Sequence, residues 1–185
     1  LQALLNFTGP VSGNGGLLQW GSGIVHFTGT ASNSFTGGYE IQDGIVALER
    51  PTQTTVLPGP VLARSSGLVR CFANHQIGDS ATVALQENGV LDMQGNTDTI
   101  ANLEFTGGTV NAAGGLQINS NLMAHAASDD ATLNGKLFLG PDGVVVDVEP
   151  GLAVPGLRLN AIISGGFSAP LTKTGAGRLE LFGAN

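Results

Sequence analysis

The sequence predicts an all-β chain wound as a single-stranded β-solenoid. Three observations lead there: short β-rich runs punctuated by Gly, Asn, Asp and Pro, missing helical periodicity, and internal self-similarity. Leu17–Gly29 (LLQWGSGIVHFTG) echoes the stretch from Leu171, with Gly21, Gly23 and Gly29 falling where Gly175, Gly177 and Gly183 fall. Phe35–Leu48 (FTGGYEIQDGIVAL) echoes Phe105–Ile118 (FTGGTVNAAGGLQI) at one constant offset, which also aligns Gly44 with Gly114.

The expected strands follow in order. Ile24–Phe27 is a β-rich run closed by Thr28-Gly29, and Ile45–Leu48 is one preceded by Asp43-Gly44. Leu68–Phe72, Thr82–Leu85 and Val90–Met93 follow, and many of the runs alternate, as Val90-Leu91-Asp92-Met93 and Leu179-Glu180-Leu181 do, which gives a strand one inward and one outward face. Leu103–Phe105, Thr109–Asn111, Leu116–Ile118, Leu137–Leu139 and Val144–Val148 continue the pattern. Leu157–Leu159, Ile162–Ile163 and Arg178–Phe182 complete it. The best helical stretch, Leu122–Ala127, is cut off by Ser128-Asp129-Asp130. Pro51–Pro60 (PTQTTVLPGP) reads as a protruding loop between two parts of the same β-helix.

Asp43-Gly44, Asn88-Gly89, Asn134-Gly135 and Asp142-Gly143 are hairpin signals, so an antiparallel β-sandwich is the alternative. In a solenoid the same pairs supply left-handed conformations at corners. The echoes favour the solenoid. Rungs of roughly 20–28 residues give about seven coils, and a rod on the order of 35 Å long at ~4.8 Å per coil.

The ends carry a family likeness. LTKTGAGRLELFGAN (Leu171–Asn185), and the pairing of Leu17–Gly29 with Asn33–Leu48, resemble the autotransporter-associated β-strand repeat, or passenger-associated transport repeat, of bacterial surface proteins. The repeat-like copies span 5–48 and 157–185 of one segment, 1–185. The early copy has Gln19 and Trp20 where the family has Lys and Thr, and Ser34-Phe35-Thr36-Gly37-Gly38 restores the match. The middle, with Asn74-His75-Gln76-Ile77 and Glu87-Asn88-Gly89-Val90-Leu91-Asp92, is similar to inter-repeat segments of large members. The resemblance implies a right-handed parallel β-helix, secreted or displayed outside a bacterium, and a repeat that aids export. Neither Leu1-Gln2-Ala3-Leu4-Leu5 nor the C-terminal copy reads as a polar cap, so the segment is expected to be uncapped at both ends and cut from a longer rod.

Charged residues make up only 11% of the chain, and the net charge is −7 with two lysines and five arginines. Phosphate affinity comes chiefly from Lys and Arg, which argues against nucleic acid as a partner. No run approaches the ~20 apolar residues of a spanning helix, so no membrane insertion by this segment is expected. An export signal, if used, lies outside this segment. The one cysteine, Cys71, has no partner for an internal disulfide and reads as a small buried hydrophobe.

The aromatic-Thr-Gly triplets at Phe7, Phe27, Phe35 and Phe105 are read as core entries before Gly-permitted corners rather than as an external glycan-stacking ladder. The densest carboxylates are Asp129-Asp130, and Asp142 with Asp147 and Glu149. Asp147 and Glu149 share a strand face, and Lys136 or Arg158 could neighbour them, as polysaccharide cleavage would need. Turn residues bonding local backbone account for them more simply, ahead of calcium binding or catalysis. His26, His75 and His125 are spaced near two coils apart, but none lies within three to five residues of another His or of Cys71. They read as surface or turn residues. Gly13-Asn14-Gly15-Gly16 and Gly165-Gly166 lack the helix and Lys of a phosphate loop.

No catalytic, cofactor or metal site is expected. The expected role is a structural, non-catalytic extracellular scaffold that associates end to end through unpaired coil edges. One alternative is an adhesive or glycan-binding segment using Pro51–Pro60 or an outward ladder of Asn111, Asn119 and Asn121. The other is a polysaccharide-degrading β-helix enzyme.

Overall fold

The computed structural model describes residues 3–166 and 168–183. Fourteen strands join in one sheet, and Ser12–Gly13 pairs with Ser34–Phe35 as a separate ribbon. Every pairing among them is parallel. The antiparallel sandwich is thereby overturned, and the chain is a β-solenoid. No helix occurs among the described residues, and Leu122–Ala124 closes a strand instead.

A first wall runs through Leu4–Phe7, Ile24–Phe27, Ile45–Leu48, Leu68–Cys71, Thr82–Asp92, Thr97–Ala124, Ala131–Leu139, Leu157–Ser164 and Leu179–Leu181. These nine strands make about eight turns rather than seven. The step is as short as 19 residues, from Val90 to Thr109, and as long as 26, from Ala131 to Leu157. Short steps fit one more coil into the same chain. At ~4.8 Å per step the stack rises about 38 Å.

A second wall holds Leu17–Gln19, Tyr39–Ile41, Val61–Ala63 and the first residues of Thr82–Asp92. It continues through Thr97–Ala124 into Val144–Val148 and Leu171–Thr174. The 28-residue strand Thr97–Ala124 serves both walls because it bends where Gly107 and Gly108 take φ near +90°. Of the four hairpin-like dipeptides, Gly44, Gly135 and Gly143 take positive φ, whereas at 87–89 Glu87 takes it instead.

A third side is largely irregular chain in the earlier coils, and parallel strand in the later ones, where Leu116–Ile118 pairs with Leu137–Leu139. Leu57 bridges Ile77 in parallel, the Asn33 N–H donates to the Thr55 carbonyl at 2.9 Å, and the Tyr39 N–H donates to Pro60 at 2.8 Å. Val56 and Leu57 are fully buried. Pro51–Pro60 is therefore coil wall and not a protruding loop. Its prolines fit because a proline carbonyl still accepts a hydrogen bond from a neighbouring coil, as Pro60 does from Tyr39 and Pro51 from the Gln76 amide.

Period-two alternation aims one residue per rung into the interior. The column Leu5, Val25, Val46, Val69, Leu91, Val110, Leu133, Leu159 and Leu181 is in register through every first-wall strand. Its six central members are 0% exposed, whereas Leu5 and Leu181 at the two ends are 53% and 51% exposed. Burying each such side chain contributes about 1.5–3 kcal/mol. A parallel column starts Phe7, Phe27, Leu48, Cys71. The Phe7 and Phe27 rings stack at 5.0 Å, and Phe35 and Phe105 are also buried. The core reading of the Phe-Thr-Gly triplets thus holds. The expectation of bare ends falls partly on Leu1, Gln2, Ala184 and Asn185, which lie outside the described residues.

Candidate functional site

Register also stacks the outward residues. Beside the core column runs Asn6, His26, Ala47, Arg70, Asp92, Asn111, Asn134 and Asn160. Asn134 donates its amide to Asn111, and Asn160 donates to Asn134, each at 3.0 Å. Arg70 pairs with Asp92 at 3.2 Å in the same column. The polar ladder expected of Asn111, Asn119 and Asn121 is differently composed. Asn119 accepts from Gln117 at 2.8 Å, and Asn121 donates to Asn102 at 3.1 Å.

The predicted carboxylates are engaged one by one. Asp147 accepts the Thr174 hydroxyl at 2.7 Å, while Glu149 accepts the Ala126 N–H at 3.0 Å and pairs with His125 at 3.5 Å. Arg158 pairs with Asp130 at 3.1 Å and Glu180 at 3.8 Å, and Asp129 accepts the Ser128 hydroxyl. Asp142 lies exposed in the turn closed by Gly143 N–H to Gly140 O. The three histidines do not stack. His26 sits on the first wall beside Glu49 at 3.8 Å, His75 turns a corner, and the His125 N–H donates to the Phe105 carbonyl.

Cys71 is fully buried, and burial, then Asp98 and Asp92, push its thiol pKa well up. Gln19 is also inside, with its carbonyl taking the Tyr39 hydroxyl at 2.8 Å and its amide donating to Gly23 and Ile45 at 3.1 Å. Burial raises the Tyr39 pKa, so the phenol stays protonated.

One cluster crosses from coil to coil. One ligand-capable atom each from His75, Asp79 and Asp98 lies within 4.8 Å of the others. Asp98 is 2% exposed, Asp79 is exposed and His75 is between the two. Asp98 Oδ2 accepts the N–H groups of Gln76 at 2.8 Å and Ile77 at 3.1 Å, and Oδ1 accepts Thr99 N–H at 2.8 Å. Burial nevertheless pushes the Asp98 carboxyl up to about 6, against the lowering by those donors and by His75. Spacing rules along the chain missed this cluster because Asp98 reaches the corner from the next turn. The readable signal was Thr97-Asp98-Thr99-Ile100, whose alternation points Asp98 the same way as the buried Ile100.

On the second wall the outward column Leu18, Glu40, Leu62, Ala84 and Glu104 floors an open groove of about 520 Å³. Glu40 pairs with Arg64 at 2.6 Å. Three coil steps of ~4.8 Å put the backbones of Glu40 and Glu104 about 14 Å apart. Paired glycosidase carboxylates sit at about 5–9.5 Å.

The model of the passenger-associated-transport-repeat family matches residues 17–48 and 171–185. Both matches occupy the same place in the coil. Leu17–Gln19 leads through Gly21 and Gly23 into Ile24–Phe27, and Leu171–Thr174 leads through Gly175 and Gly177 into Leu179–Leu181. Gly21 and Gly175 both take positive φ, at 102° and 72°. No curated protein and no solved structure matches the chain.

Proposed function

We propose, from the premise that this chain carries passenger-associated transport repeats, that it is a non-catalytic scaffold segment of a secreted or surface-displayed bacterial protein. The observation that supports this reading most is the distribution of its polar groups. Asp147, Glu149 and Asp130 bond to neighbouring turns and coils, and Asn111, Asn134 and Asn160 bond to one another. Such groups hold rungs in register.

The same geometry supports association through the coil ends. Among the described residues Leu4–Phe7 and Leu179–Leu181 each have one strand neighbour, and Leu4, Leu5, Leu181 and Phe182 are all at least half exposed. A further coil, of this chain or of a second copy, would pair those strand edges and cover those side chains. Sedimentation of the chain over a range of concentrations tests it. Growing assemblies that vanish in Leu5→Lys and Leu181→Glu are the expected result, and a monomer at every concentration overturns end-to-end association.

An adhesive role is the second reading, and the groove over Leu18, Leu62 and Ala84 favours it. Binding to a glycan array that is lost in Leu62→Arg would support this reading. An array without hits would remove it.

A further inference from the structure

We propose that His75, Asp79 and Asp98 form a binding site for one divalent first-row transition metal ion of the zinc type, which ties the corner at 72–79 to the strand of the next turn. The inference goes beyond the scaffold reading and stands or falls separately from it.

The donor set is the first argument. One imidazole nitrogen with two carboxylate oxygens is a borderline set that suits zinc and its neighbours, whereas calcium takes oxygen ligands alone. Reach is the second. At metal–ligand bonds of about 2.0–2.2 Å, neighbouring tetrahedral ligands lie roughly 3.5 Å apart. The three ligand atoms already lie within 4.8 Å of one another, and Asp79 is exposed, so its carboxylate is free to adjust to a bound ion.

The third argument is preorganisation. The His75 N–H donates to the Thr97 carbonyl at 3.0 Å with φ +55°, and Thr97 N–H returns a bond to Asn74 Oδ1 at 2.9 Å. Gln76 and Ile77 place their N–H groups on Asp98, so corner and carboxylate are already bound together. Three N–H donors occupy three of the roughly four acceptor positions of an ionised carboxylate, which leaves a place at Oδ1 for a cation. The fourth argument is charge. Asp98 is almost fully buried, and no Arg or Lys pairs with it among the described residues. Burial disfavours its ionised form, and a bound cation offsets that cost.

Zinc chloride titrated calorimetrically into the full chain, first stripped with chelator, tests the site. The expected result is one zinc per chain and a raised Tm. His75→Asn keeps a residue tolerant of positive φ, and Asp79→Asn alters an exposed side chain, so both variants fold. Each is expected to weaken zinc binding by about tenfold or more. His125→Asn, on a different wall, leaves it unchanged. No saturable zinc binding by the wild type, affinity unchanged in either variant, or saturation by calcium in place of zinc overturns the proposal.

Discussion

Arg50 Nη2 donates to the Gly9 carbonyl at 2.6 Å across 41 residues of chain. The same guanidinium reaches Thr28 O at 2.9 Å, Asn33 Oδ1 at 2.8 Å and the Ala31 carbonyl, and lies 5.8 Å from the centre of the Phe27 ring. Its backbone N–H goes to Gln76 Oε1 at 3.1 Å in the next turn. Arg50 is 1% exposed, burial lowers its pKa, and its partners are carbonyl oxygens rather than a carboxylate. Four consecutive rungs thus meet at this one residue, three of them through its planar cation and the fourth through its backbone N–H.

Replacing it strands several acceptors together. An unsatisfied buried polar group costs about 1–3 kcal/mol, so Arg50→Leu is expected to lose roughly 3 kcal/mol or more in urea unfolding. Arg50→Lys recovers only part, because an ammonium lacks the five-donor fork. Equal stability of Arg50→Leu and wild type would remove Arg50 as a support.

Interior and exterior ladders share a register but not a weight. Leu91 is 0% exposed between Val69 and Val110, so Leu91→Ala is expected to cost about 2–5 kcal/mol. Asn134 sits on the solvent side between Asn111 and Asn160, and Asn134→Ala is expected to cost about 0.2–1 kcal/mol. Thermal melts of the two variants check the ratio, and a larger loss for Asn134→Ala would contradict the assignment of faces.

These residues also mark what the sequence could and could not reveal. The Leu91 face followed from alternation, and the corner after Phe27 followed from Thr28-Gly29. There φ is +86°, and a methyl on Gly29 would lie 2.0 Å from the Thr8 carbonyl oxygen. Parallel stacking was legible because two distant copies keep the same glycine offsets. Arg50 was not, since its acceptors are mostly main-chain carbonyls, which every residue has. Pro51–Pro60 misled because Pro and Thr mark loops by composition, while the buried pair Val56-Leu57 shows its place only once the neighbouring coils are set beside it. His75 and Asp98 lie 23 positions apart in sequence and one turn apart in space, a relation that short ligand spacings do not encode.

Asp98 gives stability a pH dependence in chelator. Its folded carboxyl is pushed up to about 6 from 3.8, with His75, Asp79 and Cys71 as titratable neighbours. The folded state therefore holds this proton more tightly than the unfolded chain. The stabilisation is fully present below about pH 4 and is lost as pH rises through about 6, a swing of roughly 3 kcal/mol. Asp98→Asn is expected to flatten that part of the wild-type profile. The comparison is made between the two proteins at each pH, because the other carboxylates titrate in both. Identical slopes would show that the Asp98 proton does not contribute.

Cys71 reports on the integrity of the coil. Its sulfur is in the core column after Phe7, Phe27 and Leu48, it is 0% exposed, and burial holds the thiol protonated. The thiolate is the reactive form, so the folded chain is expected to resist a disulfide reagent such as dithionitrobenzoate. In denaturant one thiol per chain should react at once. Because the column is closed by the rungs above and below, the slow labelling rate of the native protein measures opening of those coils. Arg50→Leu, which loosens rungs adjoining Leu48 and Cys71, is expected to speed it, whereas Asn134→Ala, farther along the stack, leaves it nearly unchanged. Fast labelling of the untreated wild type would mean that Cys71 is not sealed inside.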